Sequence, residues 1–126
     1  MPIKVHFFRT KDGTAPVLEW LRQLRQRERR AYAECVVRIQ RLEQEGHKLQ
    51  RPEADYLRDG IYELRIRFGS VNYRILYFFA GREAAVLTHA LTKEAEVPSA
   101  DIDRAIQRKD TFEKSPDVHT YEADDV

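Results

Sequence analysis

The residues that could do chemistry in this chain fall where strands are expected. Glu63, Arg65 and Arg67 share one face of an alternating run, and Arg74 sits on the next run, across a short turn. His89 lies late in a third run, and Lys93 follows it. Planar guanidinium groups suit bidentate recognition of phosphate. Helix surfaces hold charge at little cost, but several cations on neighbouring strands repel one another unless a polyanion neutralises them. The solvated face of an antiparallel sheet gives a similar pattern, so both readings stand on pattern alone. His89 could transfer protons near neutral pH, or be a satisfied strand histidine. Tyr62, Tyr73 and Tyr77 could stack on nucleic-acid bases, although their alternation suits a core.

Other chemistries find little support. His6, His47, His89 and His119 show no metal-ligand spacing, and neither a metal nor another cofactor is expected. Cys35 lies on an apolar helix stripe and reads as a buried thiol. There is no glycine-rich phosphate loop and no nucleophile elbow. Trp20 reads as core or interface.

The elements that must position the cations follow from periodicity. Residues 3–8, IKVHFF, predict a short strand. Thr14 is a candidate cap for a first helix, with Pro16 in its first turn and Val17, Leu18, Leu21 and Leu24 on one face. After the charged run RQRERR, Ala31, Tyr32, Cys35, Val36, Ile39 and Leu42 form one stripe of a second helix, with Gly46 as its C-cap. The two predict a helical hairpin that covers a sheet. From Tyr56 the period becomes two. Asp59-Gly60 is a turn, and three strands follow, joined by short turns into an antiparallel meander. Ser99 is expected to cap a last helix, with Asp101 and Asp103 in its first turn and Arg104, Arg108 and Lys109 toward its end. The expected fold is α+β, a small antiparallel-rich sheet packed against a helical hairpin, in the order β-α-α-β-β-β-α.

The chain has 126 residues, 42% apolar and 34% charged, which suits one domain with a modest core. No apolar run is long enough to span a membrane. The opening residues lack a signal-peptide core and the single cysteine fits a reducing compartment, so a cytoplasmic setting without membrane contact is expected. The net charge of +1 hides an asymmetry: residues 110–126 hold six acids and one base, leaving 1–109 at net +6. We therefore expect a domain over 1–109 and an acidic, flexible C-terminal segment over 110–126, either inert or lying over the basic face.

Several segments together resemble the RelE/HigB toxin superfamily, in particular its phage-derived HigB-like branch. They are LRDGIYELR over 57–65, YRILYFF over 73–79, LTHALTK over 87–93, and the opening FFRT-KDGTAPVLEWLRQL. The likeness covers about residues 3–109. It implies the toxin of a type II toxin–antitoxin system, an endoribonuclease that cleaves mRNA, often on the translating ribosome, without a metal. It also implies a cognate helix-turn-helix, HigA-like antitoxin, with operator DNA reached only through that partner. The family's cations carry over to Arg65, Arg74 and Lys93; Lys93, His89 and Glu63 are alternative proton-transfer groups, and Arg67 and Tyr73 are candidate RNA contacts. The sequence departs from the family where Glu94 follows Lys93 and where Glu63 replaces a cation. A catalytically weak module that binds its antitoxin or RNA without cleavage is the alternative.

Overall fold

The computed structural model describes residues 2–92 and 96–123. Strand β1 (Lys4–Phe8) leads through a loop into α1 (Pro16–Arg27) and α2 (Arg29–Glu45). A 3-10 turn at Gly46–Lys48 follows, then β2 (Ala54–Arg58), β3 (Ile61–Phe68), β4 (Val71–Ala80) and β5 (Ala84–Thr92). The chain ends in α3 (Ser99–Lys114), the single-turn α4 (Pro116–His119) and β6 (Thr120–Tyr121). Among the described residues one sheet holds all the strands, in the order β2-β3-β4-β5-β1-β6, and only β1 and β5 run parallel. This is the expected α+β class, with the meander and the hairpin in place. Among the described residues no helix is long and apolar enough to cross a membrane.

Alternation divides the strands between two cores. Leu64, Ile66, Tyr73, Ile75 and Tyr77 face the α1–α2 hairpin, where Leu21, Leu24, Cys35, Ile39 and Leu42 meet them. Ile61, Leu76, Phe78 and Val86 face the other way and are covered by Ile102, Ala105 and Phe112 of α3. α3 covers only part of that second face. What it leaves open is the stretch where Glu63, Arg65, Arg67 and Arg74 replace the apolar residues.

Three features depart from the sequence reading. First, the turn at Asp59-Gly60 joins two strands, because β2 precedes it and pairs with β3. Asp59 (φ 52°) and Gly60 (φ 83°) both adopt left-handed backbone, as a two-residue hairpin turn of matching twist requires. Second, neither proposed N-cap acts as one. Ala15 and Pro98 occupy the cap positions, and the Ser99 hydroxyl instead accepts from Arg58 at 3.1 Å. Third, the boundary drawn between residues 109 and 110 falls inside α3, which runs on to Lys114 because Phe112 is buried beneath it against Phe78. Thr120 and Tyr121 then pair with Phe8 and Phe7 at the far edge of the sheet from β3.

Candidate phosphate-binding cleft

Arg65 on β3 and Arg74 on β4 are directly paired across the ladder, on the face α3 leaves open. Two guanidinium groups held this closely repel. Glu63, two residues before Arg65 and so on the same face, relieves the repulsion. One of its carboxylate oxygens accepts from Arg74 Nε at 3.0 Å and the other from Arg65 at 3.2 Å. Glu63 and Arg74 are 5% and 7% exposed, so the ion pair is inside the protein, while Arg65 is half-buried and reaches outward. Burial pulls the Arg74 pKa down from its ordinary value, and the Glu63 charge opposes the shift. An arginine remains a cation at neutral pH even so.

The surroundings hold these groups in place. Arg38 of α2 donates to the Arg65 carbonyl. Glu53, gripped by Arg41 through two hydrogen bonds of 2.9 and 3.1 Å, lends its own carbonyl to the Arg65 N–H. Arg67 is exposed at the outer end of β3 and donates to the Gly69 carbonyl. Arg65, Arg67 and Arg74, with Arg51 and Arg58, line an open cleft of about 570 Å³ whose apolar lining is Tyr56, Leu57, Val97 and Ile102. A second hollow of about 430 Å³ adjoins it, sharing Arg51, Arg65, Arg67 and Arg74 and reaching Arg38. Arg58 is anchored on α3 through Asp103 at 2.7 Å, which raises its pKa.

His89 reaches the same sheet face through an irregularity. The β4–β5 register passes from Tyr77↔Leu87 to Leu76↔His89, leaving Thr88 over. This bulge turns His89 away from the hairpin and toward α3. There its Nε2 meets Asp101 at 2.6 Å. Burial pushes the His89 pKa below its ordinary value; the Asp101 hydrogen bond and charge resist, and Arg108 and Arg104 add to the depression. His89 is not among the residues lining the cleft, although its ladder partner Leu76 is only two residues along β4 from Arg74.

The expected site residues therefore separate. The structure brings Arg65, Arg67 and Arg74 together, while His89 shares their sheet face without lining the cleft. Lys93 lies outside the described residues. Tyr73 does not join the cleft: alternation turns it toward the hairpin, where it is 6% exposed and meets Trp20 edge-on at 6.1 Å between ring centres. Burial raises its hydroxyl pKa. Arg51, Arg58 and the Asp101 partner of His89 went unnoticed in sequence. The Asp59-Gly60 hairpin signal could have placed Arg58 on an edge strand; no local pattern places Asp101 against His89.

The arrangement can hold an anion in an open, arginine-rich cleft, with an imidazole of depressed pKa on the same sheet face. A search of curated proteins finds no match. The family model described as "Phage derived protein Gp49-like (DUF891)" matches residues 19–110, which span α1 through most of α3 and so include every residue of the cleft. The chain belongs to this phage-derived Gp49-like family.

Proposed function

We propose that the protein is the toxin of a toxin–antitoxin pair and acts as an endoribonuclease on mRNA. The observation that carries this reading is the placement of Arg65, Arg67 and Arg74 on an open cleft, with Arg74 buried and fixed by Glu63. Membership of the phage-derived family and the sequence resemblance to RelE/HigB toxins support it.

In this reading the RNA 2′-OH attacks the adjacent phosphate. Its proton passes to a base, a pentacoordinate phosphorane forms, and the 5′-oxygen leaves after taking a proton. The products are a 2′,3′-cyclic phosphate and a 5′-hydroxyl. Arg74 and Arg65 offer the phosphorane their outward N–H groups, and Arg67 holds a neighbouring phosphate. His89, its pKa depressed by burial and its ring oriented by Asp101, is the candidate proton-transfer group, and Lys93 is a candidate cation from the segment after β5. The partners are mRNA, on the ribosome, and a helix-turn-helix antitoxin, with operator DNA reached through the antitoxin.

The test is cleavage of an RNA by the purified chain and by chain mixed with ribosomes, in excess EDTA. Cyclic-phosphate ends and loss of cutting when the 2′-OH at the cleaved nucleotide is replaced by hydrogen are expected. Cutting of the deoxy-substituted site would overturn the mechanism. One observation favours a second reading, a module that binds antitoxin or RNA without cleavage. The Glu63 carboxylate already neutralises the two best-placed arginines, and the histidine does not line the cleft.

A further inference from the structure

Four of the arginines that line the cleft, Arg51, Arg58, Arg65 and Arg74, are engaged with carboxylates. Most of those at the tip of the helical hairpin are not. Residues 22–30, RQLRQRERR, hold five arginines and one glutamate, net +4, and every charged residue among them is exposed. Arg22 pairs with Glu19 at 3.2 Å. Among the described residues, Arg25, Arg27, Arg29 and Arg30 make no ion pair with a carboxylate.

Stability does not account for this placement. Arg25 and Arg27 end α1, where the helix dipole favours cations, but Arg29 and Arg30 open α2, where it opposes them; the only acid there is the N-cap Glu28, which makes no side-chain capping bond. Two of the four are braced on aromatic rings: Arg25 lies 5.7 Å from the centre of Tyr32, and Arg30 lies 5.6 Å from that of Phe68. Bracing of this kind holds a guanidinium in place and leaves its edge N–H groups free to bind. Phe68 also fixes where the tip lies. It follows Arg67 directly on β3, so consecutive residues point to the tip on one face of the sheet and to the cleft on the other.

We infer that the hairpin tip is a second RNA-binding surface, on which unpaired arginines hold the phosphate backbone of an RNA whose neighbouring segment enters the cleft. The inference rests on the RNA reading of the cleft. It adds a contact that is independent of base sequence and carries more of the salt dependence than the neutralised cleft does. Arginine forks with no carboxylate to release bind phosphate oxygens directly and free the counterions condensed on the RNA.

The test uses the full chain and a fully 2′-O-methylated RNA stem-loop, which binds but cannot be cleaved by internal attack. Affinity is measured from 50 to 300 mM salt. The Arg27→Gln/Arg29→Gln variant leaves the two ring-braced arginines alone, and circular dichroism checks its fold. Each lost phosphate contact lowers the slope of log affinity against log salt by about 0.7–0.9, so a fall of about 1.4–1.8 is expected. A Lys48→Gln/Arg82→Gln variant makes the same change in net charge elsewhere on the surface and should lower the slope far less. An unchanged slope in the tip variant overturns the inference, as does an equal fall in the control. Loss of binding to phosphatidylserine vesicles with the RNA slope unchanged would make the tip a membrane contact and also overturn it. Because the probe cannot be cut, failure of the wild-type chain to cleave ordinary RNA bears on the proposed activity and not on this result.

Discussion

Arg74 Nε lies 3.0 Å from a Glu63 carboxylate oxygen, and both side chains are almost fully buried. A buried ion pair is weak evidence for stability, because desolvation offsets much of the attraction, whereas removing one charge strands the other. Glu63→Gln keeps the shape and leaves Arg74 and Arg65 without their counter-charge. The variant is expected to lose stability, by about 3–5 kcal/mol if the pair behaves as buried pairs generally do. Inorganic phosphate, acting as a replacement anion, should then raise its melting temperature more than that of the wild type. Thermal melts across a phosphate series check this; equal shifts in both proteins would mean the two guanidiniums do not form an anion site.

Arg74→Lys and Arg74→Ala should both impair cleavage, since an ammonium cannot reproduce a fork that bonds Glu63 and a phosphate together. A lost transition-state contact of this kind costs about 10²–10³ in rate. Arg67→Ala, at an exposed position, should weaken RNA binding with a smaller effect on turnover. Single-turnover cleavage of a defined RNA separates the two, and an Arg74→Ala protein that folds and cuts at the wild-type rate removes Arg74 from the site.

His89 gives a pH dependence whose sign is fixed. Its folded-state pKa is depressed, so below an ordinary histidine value of about 6.5 the unfolded chain takes a proton the folded chain resists. Stability contributed by His89 is therefore present above that pH and lost as pH falls through the window beneath it. His89→Gln should flatten that part of the stability profile. If His89 is the base, the acid limb of the cleavage profile lies below pH 6.5. Asp101→Asn, which removes a group that raises the His89 pKa, should move the limb further down. A limb that does not move in Asp101→Asn separates His89 from the proton transfer.

Tyr73 shows how residue type can mislead where alternation does not. An aromatic residue beside Arg74 suggests base stacking, but in a strand its neighbour's face is the opposite one. Tyr73→Phe should leave RNA affinity unchanged. Tyr73→Ala, which empties space against Trp20, should cost about 3–5 kcal/mol in chemical unfolding. Selective loss of RNA affinity in a stable Tyr73→Phe protein would return the ring to the interface.

The parts of the fold that could be read in the sequence depend on local periodicity. The stripe from Ala31 to Leu42 and the alternation from Tyr62 to Phe79 each place a core face without reference to the rest of the chain. Arg65 and Arg74 were legible for the same reason, since a cation inside an alternating run must lie on the side opposite the residues that face the helical hairpin. Glu63 reads in sequence as an acid where a cation was expected; only the ladder shows it bridging both arginines. The Asp101–His89 contact joins residues twelve apart and depends on a strand bulge, and a one-residue bulge that reverses facing leaves no periodic trace. The end of α3 went unread because composition describes solubility rather than packing: Phe112 and His119 are buried within an otherwise acidic segment.

That segment yields the last prediction. Cutting the chain after Lys109 would remove Phe112, which packs on Phe78 with ring centres 5.3 Å apart, and His119, which stacks on Phe8 and bonds the Arg9 carbonyl at 2.7 Å. Loss of the Phe112 ring alone should cost about 3–5 kcal/mol, so changed RNA binding by that truncation would report instability rather than unshielding. Cutting after Tyr121 keeps β6 and removes the acids Glu122, Asp124 and Asp125. β6 and β3 are four strand spacings apart in the sheet, about 19 Å at 4.8 Å each. Asp125, the farthest of those acids, is four residues beyond Tyr121, a backbone reach of at most about 14 Å when fully extended, to which the side chains add a few ångströms. Docking of those acids on Arg65 is therefore at the limit of geometry. The Tyr121 truncation should melt like the full chain and leave the NMR shifts of β3 and β4 unmoved. Any gain in RNA affinity should be small and should shrink as salt rises, as expected from a change in net charge. Shifts confined to Arg65 and its neighbours on β3 would show that the acidic end contacts the cleft.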